Sequence, residues 1–165
     1  MKIKIIKQDL FPVFYLTLNV IYDKIVLSKQ EEMIMKEYVI THLHTMNSNS
    51  ILADSPSKLE DYLKEIKNKD GIRGIIRTEH GHCQNWFKTY QLMEKYNYKY
   101  IHAVEGYTCL NGDDKYNFHI LLYGLNFLGF QEINRLVSDS SVRDGHYYKR
   151  PRIFIDEILK CENIA

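Results

Sequence analysis

Four strand-like runs in this chain each carry a histidine or a carboxylate at or near one end, and that repetition constrains the fold more than any other feature. His42 and His44 sit in Tyr38-Val39-Ile40-Thr41-His42-Leu43-His44-Thr45, and His80 in Gly74-Ile75-Ile76-Arg77-Thr78-Glu79-His80-Gly81. Glu105 follows Tyr100-Ile101-His102-Ala103-Val104, and His119 opens His119-Ile120-Leu121-Leu122-Tyr123-Gly124. Alternate residues of a strand share a face, so His42 and His44 can point to one spot while Leu43 enters a core. Several polar side chains brought to one rim are costly to bury unless they hold something. Neutral imidazoles with a carboxylate suit Zn, Mn or Fe.

Helix signals separate these runs. Asp54-Ser55-Pro56 offers a capping side chain and a proline for a first helical turn. Leu59, Tyr62, Leu63 and Ile66 follow at helical spacing, and Gly71 ends the segment. The pattern then predicts a strand over Ile72–Arg77 and a helix over Cys83–Tyr96 with Trp86, Tyr90 and Met93 on one face. It continues with a strand over Tyr100–Val104, a turn at Asn111-Gly112-Asp113-Asp114 and a strand over Phe118–Tyr123. A helix over Phe127–Ser138 carries Phe130, Ile133 and Val137 as its apolar stripe, and a short helix falls in Arg152–Lys160. Strands alternating with helices predict βαβ units and a parallel sheet, with the ligand candidates at the rim where active sites of parallel barrels collect. His119 is the exception, because it lies early in its strand.

Composition bounds the function classes. Apolar residues make up 45% and charged residues 26% of the 165, an ordinary soluble domain. A net charge of +1 argues against a strong electrostatic nucleic-acid footprint in this segment. Three irregularly spaced cysteines, Cys83, Cys109 and Cys161, argue against a disulfide framework and for a reducing, cytoplasmic setting. Residues 1–35 read as a leader and 36–165 as the domain. In the leader, Lys2, Lys4 and Lys7 precede an apolar stretch from Leu10 to Tyr22. Pro12 interrupts it and no small-residue cleavage site follows, so a packed hairpin, or translation starting at Met33 or Met35, fits better than secretion or a membrane anchor.

The chemistry these residue types imply is metal-assisted hydrolysis of a phosphoester, with a carboxylate such as Glu105 bridging two ions. His42, His44, His80 and Glu105 are the candidate catalytic residues, and the candidate metal ligands are the same four with Asp54 and His119. Asp54 equally fits a helix cap or a partner that orients a histidine. His102 and His146 lack ligand spacing and read as structural, His82 is intermediate, and Cys83 reads as a small packing residue. Neither a glycine-rich phosphate loop nor a Ser-His-Asp arrangement is legible.

His42-Leu43-His44-Thr45 resembles the first motif of the PHP domain (polymerase and histidinol phosphatase). Thr78-Glu79-His80-Gly81 resembles its T-D-H-G motif with Glu for Asp. Val104-Glu105-Gly106-Tyr107 is similar to its G-x-E-x-Y element and Phe118-His119-Ile120-Leu121-Leu122 to its H-L-x-L-L strand. Within the family, three stretches resemble the N-terminal domain of the bacterial replicative polymerase, the DNA polymerase III alpha subunit: Ser50–Lys58, Asn126–Ser138 and Tyr147–Ile153. The resemblance covers about Tyr38 to Leu159.

It implies a distorted (β/α)7 TIM-like barrel, of which this chain carries roughly the first four βα units. It also implies up to three divalent metals in a cleft at the strand ends. His42, His44, His80, Glu105 and His119 carry over as ligands, and Asp54 carries over with one extra residue before it, around Ala53. Glu79 carries over as a partner behind the ligands. The implied partners are the remainder of a polymerase alpha subunit, in cis or in trans, and single-stranded DNA or another phosphoester substrate, with no membrane. The chain stops at Ala165 before the family's remaining ligands and before a polymerase palm, which is the expectation for a fragment of a bacterial or phage polymerase. Two other readings stay open: a stand-alone PHP phosphoesterase, and a docking module that has lost catalysis.

Overall fold

A computed structural model describes residues 37–50 and 55–165, with only the backbone described at 49 and 50. The leader over 1–35 and Asp54 with its capping reading lie outside the described residues. Strand β1 is Tyr38–Ile40 and a 3-10 turn spans Met46–Ser50. Helix α1 is Leu59–Ile66, strand β2 Ile72–Ile75, helix α2 Trp86–Lys95, strand β3 Ala103–Cys109 and strand β4 Phe118–Tyr123. Helix α3 is Phe127–Val142, followed by the short strands β5 (Tyr147–Tyr148), β6 (Arg150–Pro151) and β7 (Ile153–Phe154) and the one-turn helix α4 (Ile155–Ile158). The domain is mixed α/β.

The sheet is not wholly parallel, which corrects the expectation from helix–strand alternation. β1 and β2 pair in parallel, but β3 and β4 are antiparallel, with Glu105 opposite Leu121 and Tyr107 opposite His119. The physical reason is the connection. Only a turn, with Asp114 accepting from the amides of Leu110 and Asn111, separates β3 from β4, and a parallel crossover needs a dozen or more residues. On the other edge of β3, β7 pairs in parallel with Thr108 and Cys109, and a single bridge joins His80 to Glu105. That bridge links the two sheets, with Glu105 N donating to Glu79 O at 3.0 Å and Gly81 N to Glu105 O at 2.7 Å.

Several boundaries also differ from the periodicity reading. β1 ends at Ile40, so His42 and His44 lie beyond the strand rather than within it. β3 begins at Ala103, so Glu105 sits inside a strand instead of following one. All of β3 is buried, and a continuous buried run lacks the alternation that sets strand limits from sequence. The last segment is a strand before it is a helix. β4 keeps the expected bounds.

Two apolar clusters hold the elements together. Leu59, Leu63 and Ile66 of α1 meet Ile75 of β2 and Met93 of α2. Val104, Leu122 and Ile153 of the second sheet meet Ile133 and Leu136 of α3. Each such side chain contributes roughly 1.5–3 kcal/mol when fully buried. Of the expected α2 face only Met93 is buried, while Trp86 and Tyr90 are exposed. The expected α3 stripe omits Leu136, which is buried. Asn126 caps α3 by accepting from Gly129 N at 3.1 Å. The last residues cross that helix so closely that a Cβ at Gly129 would lie 2.1 Å from Asn163 O. No helix among the described residues is long and apolar enough to cross a membrane.

Candidate metal centre

Five of the six ligand candidates meet around one carboxylate. Glu105 Oε2 lies 2.9 Å from His44 Nε2, 2.9 Å from His80 Nδ1 and 3.5 Å from His42 Nε2. Its Oε1 lies 2.6 Å from His119 Nδ1. The rings of His44 and His80 stack at 4.1 Å, and His80 and His119 lie edge to face at 5.7 Å. The antiparallel pairing explains His119. Running back along β3, β4 carries its early residue to the rim that the later residues of β3 reach, so His119 faces Glu105 diagonally across the pair.

Among the described residues, the ligand candidates are placed by contacts the sequence does not advertise. Tyr123 OH donates to Thr41 O at 2.9 Å, tying β4 to the residue before His42. Leu43 N donates to Thr78 Oγ1 at 3.1 Å, and Thr78 N to Leu43 O at 2.9 Å, which carries the His42–His44 segment alongside His80. Glu79, fully buried, accepts from Thr45 N at 3.0 Å and from the Thr45 and Ser48 hydroxyls. Ser48 Oγ in turn contacts His44 Nδ1 at 2.9 Å. Sequence reasoning singles out neither Thr45 nor Ser48. The threonine has a signal, since it completes His-Leu-His-Thr, but Ser48 has none, because only the 3-10 turn brings it to His44.

The donor set fits a metal. Glu105 is buried, and its Oε2 accepts no well-aligned hydrogen bond among the described residues although three imidazole nitrogens lie within 3.5 Å. A buried carboxylate oxygen crowded by imidazoles is stabilised when a cation sits among them. Among the described residues, two overlapping groups can hold an ion, His42 with His44 and Glu105, and His80 with Glu105 and His119. Glu105 is common to both. His42 and His119 are half exposed, so the cluster opens to solvent, while His80 and Glu105 close its floor.

Other titratable groups fall outside the cluster. His82 Nε2 lies 3.1 Å from Asn47 O. Burial pushes the Cys83 thiol up to about 12, so it stays protonated and inert near neutral pH. His146 places Nδ1 2.9 Å from Arg152 O in a buried turn.

His102 is buried with Tyr100 OH at 2.6 Å from its Nδ1, and burial, aided by Arg77, pulls its pKa down from 6.5 to about 4. The folded state therefore binds fewer protons there than the unfolded chain. Stability from this residue is complete above about pH 6.5 and is lost as pH falls towards 4, by roughly 3 kcal/mol. Urea unfolding at pH 7 and pH 4.5 should show this drop, and His102→Gln should remove most of it. An unchanged drop in the variant would assign the acid sensitivity elsewhere.

The family model for the PHP domain matches residues 41–163. The chain belongs to the PHP domain family. It is similar to the DNA polymerase III alpha subunit of Campylobacter jejuni, 31% identical over 121 residues, covering 70% of this chain and 10% of that protein. It is likewise 32% identical over 127 residues to the alpha subunit of Borreliella burgdorferi, covering 72% of this chain and 11% of the relative. The Aquifex aeolicus alpha subunit is 29% identical over 131 residues, with 72% and 11% covered. The chain thus spans about a tenth of the length of the curated relatives it matches. The expected family, and the polymerase alpha subunits within it, are what the comparisons return.

Proposed function

We propose that this PHP domain carries a divalent-metal phosphoesterase site within a bacterial or phage replicative DNA polymerase alpha subunit, acting on phosphoesters such as the 3′ end of single-stranded DNA in the cytoplasm. The observation that carries the proposal is Glu105, one buried carboxylate set among four imidazoles and common to two ligand groups. His42, His44, His80, Glu105 and His119 would hold the ions, with Asp54 as a sixth ligand, and the ions are Zn, Mn or Fe, up to three in number. In this reading 36–165 is the domain, its mixed sheet is part of a distorted (β/α)7 barrel, and the remainder of the polymerase completes it.

Bound divalent ions would polarise a phosphoryl group and make water more acidic. The chain's own residues supply the rest. Glu105 presents Oε2 to His42, His44 and His80 and Oε1 to His119, so its two oxygens serve both groups. The half-exposed His42 and His119 leave an approach for substrate, and the buried floor keeps bulk water behind the cluster. Arg150 donates to Tyr107 OH and its guanidinium carbon lies 4.8 Å from that ring's centroid, beside His119, where a planar guanidinium suits a phosphate. Trp86, Phe87, Tyr90 and Phe127 form an exposed aromatic patch with Phe130 on the helices, a surface suited to contact with further polymerase chain.

The test is turnover of a single-stranded oligonucleotide and of a small phosphomonoester with Mn2+ or Zn2+. His42→Ala should lower the turnover at least 100-fold, by roughly 3 kcal/mol of barrier. Metal-dependent turnover that His42→Ala leaves intact would refute this site, and no turnover of either substrate would favour a docking module without catalysis.

A further inference from the structure

We infer that Ser48, committed to Glu79, fixes His44 in the tautomer that presents Nε2 to the metal, so that Ser48 and Glu79 are positioning residues for the first ligand group. The inference rests on the metal site proposed above and names what orients it. A serine hydroxyl has one proton and two lone pairs. Ser48 Oγ has three partners: the Glu79 carboxylate, the His80 amide at 3.2 Å and His44 Nδ1 at 2.9 Å.

The carboxylate is acceptor-only, and donors converge on both of its oxygens: Thr45 N and Ser48 Oγ on Oε2, Thr45 Oγ1 on Oε1. Ser48's proton therefore goes to Glu79, and one lone pair takes the His80 amide. The remaining lone pair can bond His44 only if Nδ1 carries a hydrogen. A neutral imidazole protonated at Nδ1 has its free lone pair on Nε2. Nε2 is the atom that faces Glu105 Oε2 at 2.9 Å and His42 Nε2 at 2.8 Å.

Burial makes the assignment hold. Ser48 is 0% and Glu79 1% exposed, so water does not compete for the hydroxyl. The same oxygen grips the His80 amide, so one serine registers both ligand-bearing segments against each other. The extra methylene of Glu79, relative to the Asp of the motif it resembles, fits this reach: the carboxylate touches Thr45 and Ser48 rather than the ligand cluster.

The experiment labels the histidines of the full chain with 15N, loads Zn2+, and reads each ring by long-range proton–nitrogen correlation, with His44→Gln assigning the His44 signals. The expected result is a protonated Nδ1 and a zinc-ligated Nε2 on His44. Ser48→Ala should lower zinc affinity about 10- to 100-fold in chelator competition. Glu79→Gln should do the same and shift His44 towards protonation at Nε2, because its amide can donate to Ser48 and turn the hydroxyl proton towards Nδ1. Zinc bound through Nδ1 of His44, or an unchanged affinity in a folded Ser48→Ala protein, would overturn the inference while leaving the metal site standing. Wild-type protein that binds no zinc would overturn both. The wild-type spectrum decides the tautomer even if neither variant folds.

Discussion

Glu105→Gln is expected to strip the protein of metal at both ligand groups while leaving it folded. Every ligand candidate within the described residues is assembled against this one side chain, and the two groups that can hold an ion differ in their histidines but share Glu105. Glutamine preserves the shape and removes the charge. Losing one contact to a charged partner costs about 1.5–3 kcal/mol, or about 10- to 100-fold in affinity, and here the loss falls on both groups together. His119→Asn, by contrast, should weaken only the group of His80, Glu105 and His119. Metal content and chelator competition on the purified proteins measure the difference. Without metal the substitution should cost little stability, since a buried charge held only by imidazoles contributes weakly once its desolvation is counted. A Glu105→Gln protein that keeps wild-type metal content would mean that the ions sit elsewhere.

Arg152→Met should destabilise the domain by about 2–3 kcal/mol. Arg152 is 1% exposed. Its guanidinium donates to Asp114 O at 2.8 Å, Gly112 O at 3.0 Å, Gly145 O at 3.2 Å and, through Nε, His146 O at 3.3 Å. These carbonyls belong to the turn between β3 and β4 and to the loop after α3, so one side chain joins two segments far apart in sequence. Methionine donates nothing, so the carbonyls of Gly112 and Asp114 in the half-buried turn and of Gly145 at the surface lose the guanidinium, while His146 O keeps the backbone amide of residue 152 at 3.0 Å. A carbonyl shut away from water without a donor costs about 1–3 kcal/mol, and water offsets part of that here. The hairpin of β5 and β6, which carries Arg150, would lose its anchor as well. Urea denaturation gives the magnitude directly, and a loss below about 1 kcal/mol would show that water replaces the guanidinium.

The residues that can hold a metal are legible in the amino-acid sequence alone, and so is the family. His-x-His, a histidine after a second strand and a glutamate on the next are chemical signals that survive errors in strand limits, because residue type and approximate order are enough to suggest convergence. Hence the limits of β1 and β3 can shift by several residues without losing His42, His44, His80 or Glu105. The apolar spacing of Leu59, Leu63 and Ile66 and the turn at 111–114 are equally readable, since helical periodicity and turn chemistry are local.

What the sequence by itself determined is therefore the ligand types, their order and the local elements that carry them. Tertiary structure alone decided how they meet. The antiparallel pairing of β3 with β4 turns an early strand residue, His119, into a neighbour of Glu105. The 3-10 turn brings Ser48 between His44 and Glu79, and the burial of Arg152 makes an ordinary arginine the tie between two loops. In each case the deciding contact depends on how separate segments pair, or on which hydroxyl and carbonyl are shut away from water, and neither is encoded in periodicity.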